Sequence, residues 1–181
     1  MRKPQTRKAL TLMELIFVVV ILGLMAAIII PKILSSSQKT QVMSTIQSDA
    51  QTIISKVAEW KNNDPNAKGS YLNMSPAALA NYMPSNMPVE NSSDTTAGDA
   101  AIIDSSGYGN TLTYSVKGAD PSSIDVTVDY SKVITNPTDQ LKYGTQIGNE
   151  FKKLSQDKNE TTINSTVNGK GGKVEIDNIV P

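Results

Sequence analysis

The chain has 181 residues, 39% of them hydrophobic, with 17 Lys+Arg against 17 Asp+Glu, no His and no Cys. Those absences exclude Ser-His-Asp and Cys-His catalysis, zinc or haem sites of ordinary ligand type, and any disulfide, leaving hard, oxygen-liganded ions such as calcium as the only metals to consider. The length suits one domain of ordinary size with an appendage, and the zero formal net charge argues against a dedicated nucleic-acid binder.

The balance conceals an uneven chain. Residues 1–9 carry Arg2, Lys3, Arg7 and Lys8 and no acid, which leaves 13 basic and 17 acidic residues for the remainder. From Leu10 to Ile30 the only ionisable side chain is Glu14, and Leu15 to Ile30 contains nothing charged or strongly polar. As a helix, Leu10 to Ile30 spans roughly 31 Å, about one hydrocarbon core. A basic flank ahead of an apolar span orients the first residues toward the cytoplasm and everything after the span outward. Three readings fit this N-terminus: a cleaved secretory signal peptide, an uncleaved signal anchor, and a precursor cut between Ala9 and Leu10.

Glu14 bears on the choice. A lone carboxylate among Leu12, Met13, Leu15, Ile16 and Phe17 is costly in a membrane unless it sits wet at the headgroup level. If the chain is cut before Leu10, the new amine and Glu14 lie four residues apart on one helical turn. The amine is cationic near neutral pH and opposes the helix dipole, so a carboxylate beside it is favourable. In an assembly the same Glu meets the amine of a neighbouring copy and sets axial register. Further along, Pro31 cannot donate to the carbonyl of Ala27 and Gly23 is a weak helix former, at penalties of about 3 and about 1 kcal/mol relative to Ala. The segment between them is the weakest part of the helix.

After Pro31 the pattern becomes amphipathic. Val42, Ile46, Ala50, Ile53, Val57 and Trp60 recur at three- and four-residue intervals, flanked by Gln41, Ser44, Gln47, Asp49, Gln51 and Lys56. Asn62-Asn63-Asp64-Pro65 ends the run, so that the rod from Leu10 measures about 53 residues and ~80 Å. Ser75-Pro76 opens a short helix through Met83, with Ser at the N-cap and Pro at the first turn. Residues 84–110, rich in Pro, Asn, Ser, Asp and Gly, form a long connection. Thr111–Lys117 and Ser123–Ser131 alternate as strands across a turn at Gly118-Ala119-Asp120-Pro121. Asn136-Pro137-Thr138 opens a helix carrying Leu141, Ile147, Phe151 and Leu154. Thr161–Val167 and Lys173–Val180 make a second hairpin across Asn168 to Gly172. Asp94, Asp99 and Asp104 are weak calcium candidates whose spacing matches no EF-hand loop. Asn91, Asn159 and Asn164 satisfy or approach glycosylation triplets.

The expected fold is α+β. A long N-terminal helix, apolar in its first half and amphipathic in its second, packs on a small antiparallel sheet. The expected organisation is a basic leader over 1–9, a transmembrane or filament-core helix over 10–35, an amphipathic half over 36–63, and a globular extracytoplasmic domain over 64–181.

KALTLMELIFVVVILGLMAAIIIPK resembles the N-terminal signature of type IV pilins and of their pseudopilin relatives in type II secretion and competence systems. The resemblance covers roughly the first quarter of the chain. It implies a pilin-like fold, removal of the leader before Leu10 by an inner-membrane prepilin peptidase, and N-methylation of Leu10. It also implies assembly through Glu14 and Thr11, and loss of helicity between Gly23 and Pro31 in the filament. Two positions depart from the usual pattern: Ala9 stands where Gly is customary, and Leu10 where Phe is frequent. The closing disulfide of many pilins is ruled out by composition. The function so implied is a non-enzymatic, cofactor-free subunit of a surface filament. Its partners are the peptidase, the bacterial inner membrane, an assembly platform and further copies of itself, with no nucleic-acid binding evident. A minor pilin or pseudopilin is the alternative within the family. A membrane-anchored extracytoplasmic binding or enzymatic domain is the alternative outside it.

Overall fold

The computed structural model describes residues 12–181, apart from the side chains of residues 12, 14 and 23–37. Its elements run α1 (Leu12–Asn63), α2 (Pro76–Ala80), β1 (Ala101–Ser105), β2 (Gly109–Gly118), β3 (Ile124–Asp129), α3 (Pro137–Leu154), β4 (Thr162–Ile163) and β5 (Lys173–Ile179). The class is α+β, as expected. The chain divides into two units between Thr40 and Gln41, a boundary inside α1. In the first unit the helical backbone continues through Gly23 and Pro31.

The second unit is built on the expected stripe. Val42, Ile46, Ala50, Ile53, Val57 and Trp60 are all buried, and burial of each larger aliphatic member contributes about 1.5–3 kcal/mol. The helix stops at Asn63, where the Asp64 carboxylate accepts the Asn66 N–H at 2.8 Å and Pro65 cannot continue the turn. Beneath the stripe lies a five-stranded antiparallel sheet in the order β1-β2-β3-β5-β4. Its registers set apolar rows across one face: Ile103, Tyr114, Val128 and Val174 in one, Ala101, Val116, Val126 and Ile176 in the next. The opposite face carries Thr113, Ser115, Thr127, Asp129 and Glu175, the alternation of a sheet wet on one side. Tyr114 shows that both long helices cover the same face. Its hydroxyl reaches Asp49 of α1, and its ring lies 6.2 Å from that of Phe151 of α3.

Local signals placed the helix starts. The Ser75 side chain accepts from the Ala78 N–H, and that of Asn136 accepts from the N–H groups of Thr138 and Asp139, each followed by Pro at the first turn. The turn at Gly118 to Pro121 is tied by Asp120, whose Oδ1 accepts the N–H groups of Ser122 and Ser123 at 2.6 and 2.8 Å.

Several expectations need correction. The second helix ends at Ala80 rather than Met83. The connection over 84–110 contains β1, which pairs with β2, and Val89 bridges Ile103 on its other side. The second hairpin is real, yet its first strand is only Thr162–Ile163. Residues 164–169 instead fold back on α3: a Cβ on Gly169 would lie 2.5 Å from Leu141 Cα, and one on Gly144 would lie 2.7 Å from Gly169 Cα. That close approach also displaces Leu141 from the expected stripe. Leu141 is 51% exposed, while Gln140, Gly144, Ile147, Gly148 and Phe151 form the buried face of α3.

Candidate assembly surface

The first unit offers one kind of surface. Met13 and every residue from Leu15 to Leu22 is apolar and between 48% and 67% exposed on α1. Successive helical residues step about 100° around the axis, so eight in a row leave no polar side. A surface of that kind is unfavourable in water and marks a place where another apolar body sits. Among the described residues, no helix is long and apolar enough to cross a membrane.

Of the residues singled out in the sequence, Ala9, Leu10 and Thr11 lie outside the described residues, as do the side chains of Glu14 and Pro31. Of Gly23 and Pro31 only the helical backbone is described. Of the three calcium candidates, Asp94 and Asp99 stand within hydrogen-bond reach of each other in the loop, and Asp104 lies apart from them. Asp94 is held in a turn, its carboxyl below the usual range because the Thr96 N–H and hydroxyl bond it, whereas Asp104 stands on β1 beside Glu90. The Glu90 carboxyl is raised by partial burial and then by Asp104, against a smaller lowering by Lys132. Among the described residues, no group of three or more acids is arranged to hold a metal ion.

The second unit holds a polar cluster that the sequence reading missed. Asp49 is only 1% exposed, on the buried stripe three residues after Ile46 and four before Ile53. Its Oδ2 accepts the Ser105 hydroxyl at 2.6 Å and the Tyr114 hydroxyl at 3.0 Å, and its Oδ1 accepts the Ser106 hydroxyl. A bulge between Asp104 and Ser105 turns these consecutive serines toward the helix. Gly107 allows the hairpin to close on α1, since a Cβ there would meet Thr45 Cγ2 at 3.3 Å. Burial, and then the Asp49 charge, raise the Tyr114 phenol, which stays a donor at every ordinary pH. Three hydroxyl donors converging on one carboxylate satisfy the buried charge, and each bond to a charged group contributes about 1.5–3 kcal/mol. The cluster fixes the rotation and height of α1 against β1 and β2. Its spacing on the stripe was the available signal, but Asp at a single core position reads as a polar flank until its partners are known.

No protein-family model, no curated protein and no solved structure matches the chain.

Proposed function

We propose that the chain is the structural subunit of a type IV pilus-like surface filament. It enters the inner membrane as a precursor, is cut before Leu10, and then polymerises through its apolar helix into an extracellular fibre. The observation that carries this reading is the exposed apolar surface of Met13 and of Leu15 to Leu22. Lipid covers such a surface in the precursor, and the same segments of neighbouring copies cover it in the fibre. In that bundle Glu14 pairs with the Leu10 amine of a neighbour, Thr11 lies beside it, and the helix between Gly23 and Pro31 opens.

The second unit supports the reading by what its edges leave out. Val89 pairs with the outer side of β1, while Asn164 and Gly169 donate to the Glu175 and Lys173 carbonyls beside β5. The outer side of β1 is thereby partly covered, and the other edge of the sheet is β4, a strand of only two residues. Strand addition between copies has little edge to use, which leaves the helix as the polymerising element.

The test combines N-terminal mass analysis with one substitution. The mature chain is expected to begin with N-methylated Leu10, and Glu14→Ala is expected to insert in the membrane normally while yielding few or no filaments. A chain that begins at Met1, or normal filaments from the variant, overturns the proposal.

A further inference from the structure

The second unit contains four Asn-X-Ser/Thr triplets with X other than Pro, at Asn73, Asn91, Asn159 and Asn164. A triplet alone is a weak signal for N-glycosylation. Here the folded structure separates the four by what each carboxamide does. Asn73 Nδ2 donates to the Ala67 carbonyl at 2.8 Å, and Ser75, its third residue, is the buried N-cap of α2. Asn91 is held at both ends, donating to the Ala100 carbonyl at 2.9 Å and accepting the Ile102 N–H at 3.0 Å, so it closes the loop before β1. Asn164 donates to Glu175 at 3.0 Å and accepts both the N–H and the hydroxyl of Thr166. A sugar on any of these nitrogens would replace one of its two N–H hydrogens and set a bulky group against a bond that the fold uses.

Asn159 is different. It lies exposed in the turn between α3 and β4, and its carboxamide makes no hydrogen bond among the described residues. The turn is fixed by Asp157, whose Oδ1 accepts the backbone N–H groups of Asn159 and Glu160 at 3.0 and 3.2 Å. The exposed side chain stands on a turn held by hydrogen bonds, and a bulky group on it displaces no side-chain hydrogen bond of the described residues. Asp157 also stands two residues before the acceptor, an acid that the other three triplets lack at that offset.

We propose that Asn159 is an N-glycan acceptor, modified before this region folds. This rests on the exported reading above, since sugar donors and transferase act on the outer side of the membrane. In the transfer, Asn159 Nδ2 bonds to the anomeric carbon of a lipid-pyrophosphate-linked oligosaccharide. The bond from that carbon to the pyrophosphate oxygen breaks, its electron pair leaves with the lipid pyrophosphate, and the Nδ2 proton passes to a basic group of the transferase.

The order of events follows from Thr161. An N-glycosylating enzyme has to reach the hydroxyl of the third triplet residue, and in the folded chain Thr161 is completely buried. Its hydroxyl lies 2.7 Å from Ser155 Oγ, 2.7 Å from the Asp157 carbonyl and 3.0 Å from the Asn178 carbonyl, where it ties the end of α3 to β5. The acceptor nitrogen is open after folding, whereas the recognition hydroxyl is open only before it.

The experiment is intact-mass and peptide analysis of the full chain isolated from the cells that make it, alongside Asn159→Gln, Asn91→Gln and Asn164→Gln. The expected result is a saccharide mass increment on the peptide containing Asn159, abolished by Asn159→Gln and unchanged by the other two. A chain beginning at Leu10 with bare Asn159 overturns the modification and leaves the exported reading intact. A chain beginning at Met1 with bare Asn159 overturns both. For the timing, folded unmodified full-length chain is mixed with transferase and lipid-linked donor. It is expected to be modified at least about tenfold less than chain made in a cell together with them, because reaction then waits on local opening; equal modification overturns the order of events.

Discussion

The two halves of α1 have the same backbone and opposite surfaces. From Val42 to Trp60 the apolar residues fall on one stripe, and all six expected members are buried against the chain's own sheet. From Met13 to Leu22 the described side chains are apolar on every side and about half exposed or more. The comparison teaches where each half obtains its burial. The second half satisfies itself within one molecule, whereas the described side chains of the first half are exposed, and under the proposed function lipid or another copy covers them.

The largest expected effect attacks that contrast directly. Val19→Lys places a charge on the bare segment and is expected to abolish filament formation, seen by negative-stain microscopy, while the melting temperature of the second unit stays within experimental error. A fall in that temperature would show that the first half is covered by its own chain. Trp60→Ala is the converse, with an expected loss of about 3–5 kcal/mol in denaturant unfolding because a fully buried indole leaves a cavity.

Next in size is the clamp that joins the second half to the sheet. Asp49→Ala strands the hydroxyls of Ser105 and Tyr114 in the interior and is expected to cost about 2–4 kcal/mol. Adding Tyr114→Phe should then cost less than it does in the unmodified chain, which a double-mutant cycle measures. Additive costs would mean that the carboxylate does not hold the phenol.

Smaller effects test the approach of α3 to the loop over 163–169. Gly144→Ala puts a Cβ 2.7 Å from backbone at Gly169, whereas Gly148→Ala puts one 2.7 Å from the movable end of Ile163. The first is expected to destabilise by about 1–3 kcal/mol and the second by less, read as a shift of the urea midpoint. Reversal of that order would show that the loop yields more readily than the side chain.

The smallest effect concerns pH. Asp120 has its carboxyl drawn from 3.8 to about 2, first by the neighbouring Ser123 hydroxyl and then by the Ser122 N–H and hydroxyl. A depressed folded value means that the unfolded chain binds the proton more readily. The turn's contribution is therefore complete above about pH 4 and is lost as pH falls toward 2. Asp120→Asn should lower the melting temperature slightly at pH 7 and flatten its decline between pH 4 and 2. Because the carboxylate is exposed, solvent screening keeps the change to a degree or two, on the scale of about 0.5 kcal/mol.

Much of this architecture was legible because its signals are local. The 3.6-residue stripe of α1, the caps at Ser75 and Asn136, and the Asp120 turn each act over four residues or fewer, so neighbours in sequence already specify them. The rest depended on partners far along the chain. β1 is a five-residue run whose strand character comes from pairing with β2 and Val89. Asp49 belongs to the core only because Ser105 and Tyr114, 56 and 65 positions away, bring their hydroxyls to it. Leu141 gave up its expected place because Gly169 approaches α3 at a distance that admits no side chain between them.

By itself, then, the sequence determined an α+β chain with one long helix, bare at one end and striped at the other, since hydrophobic periodicity needs no partner to be read. Only the tertiary structure decided which polar residues go inside and which Asn remain free. Burying a carboxylate or a carboxamide is tolerable only where donors and acceptors from distant segments converge on it.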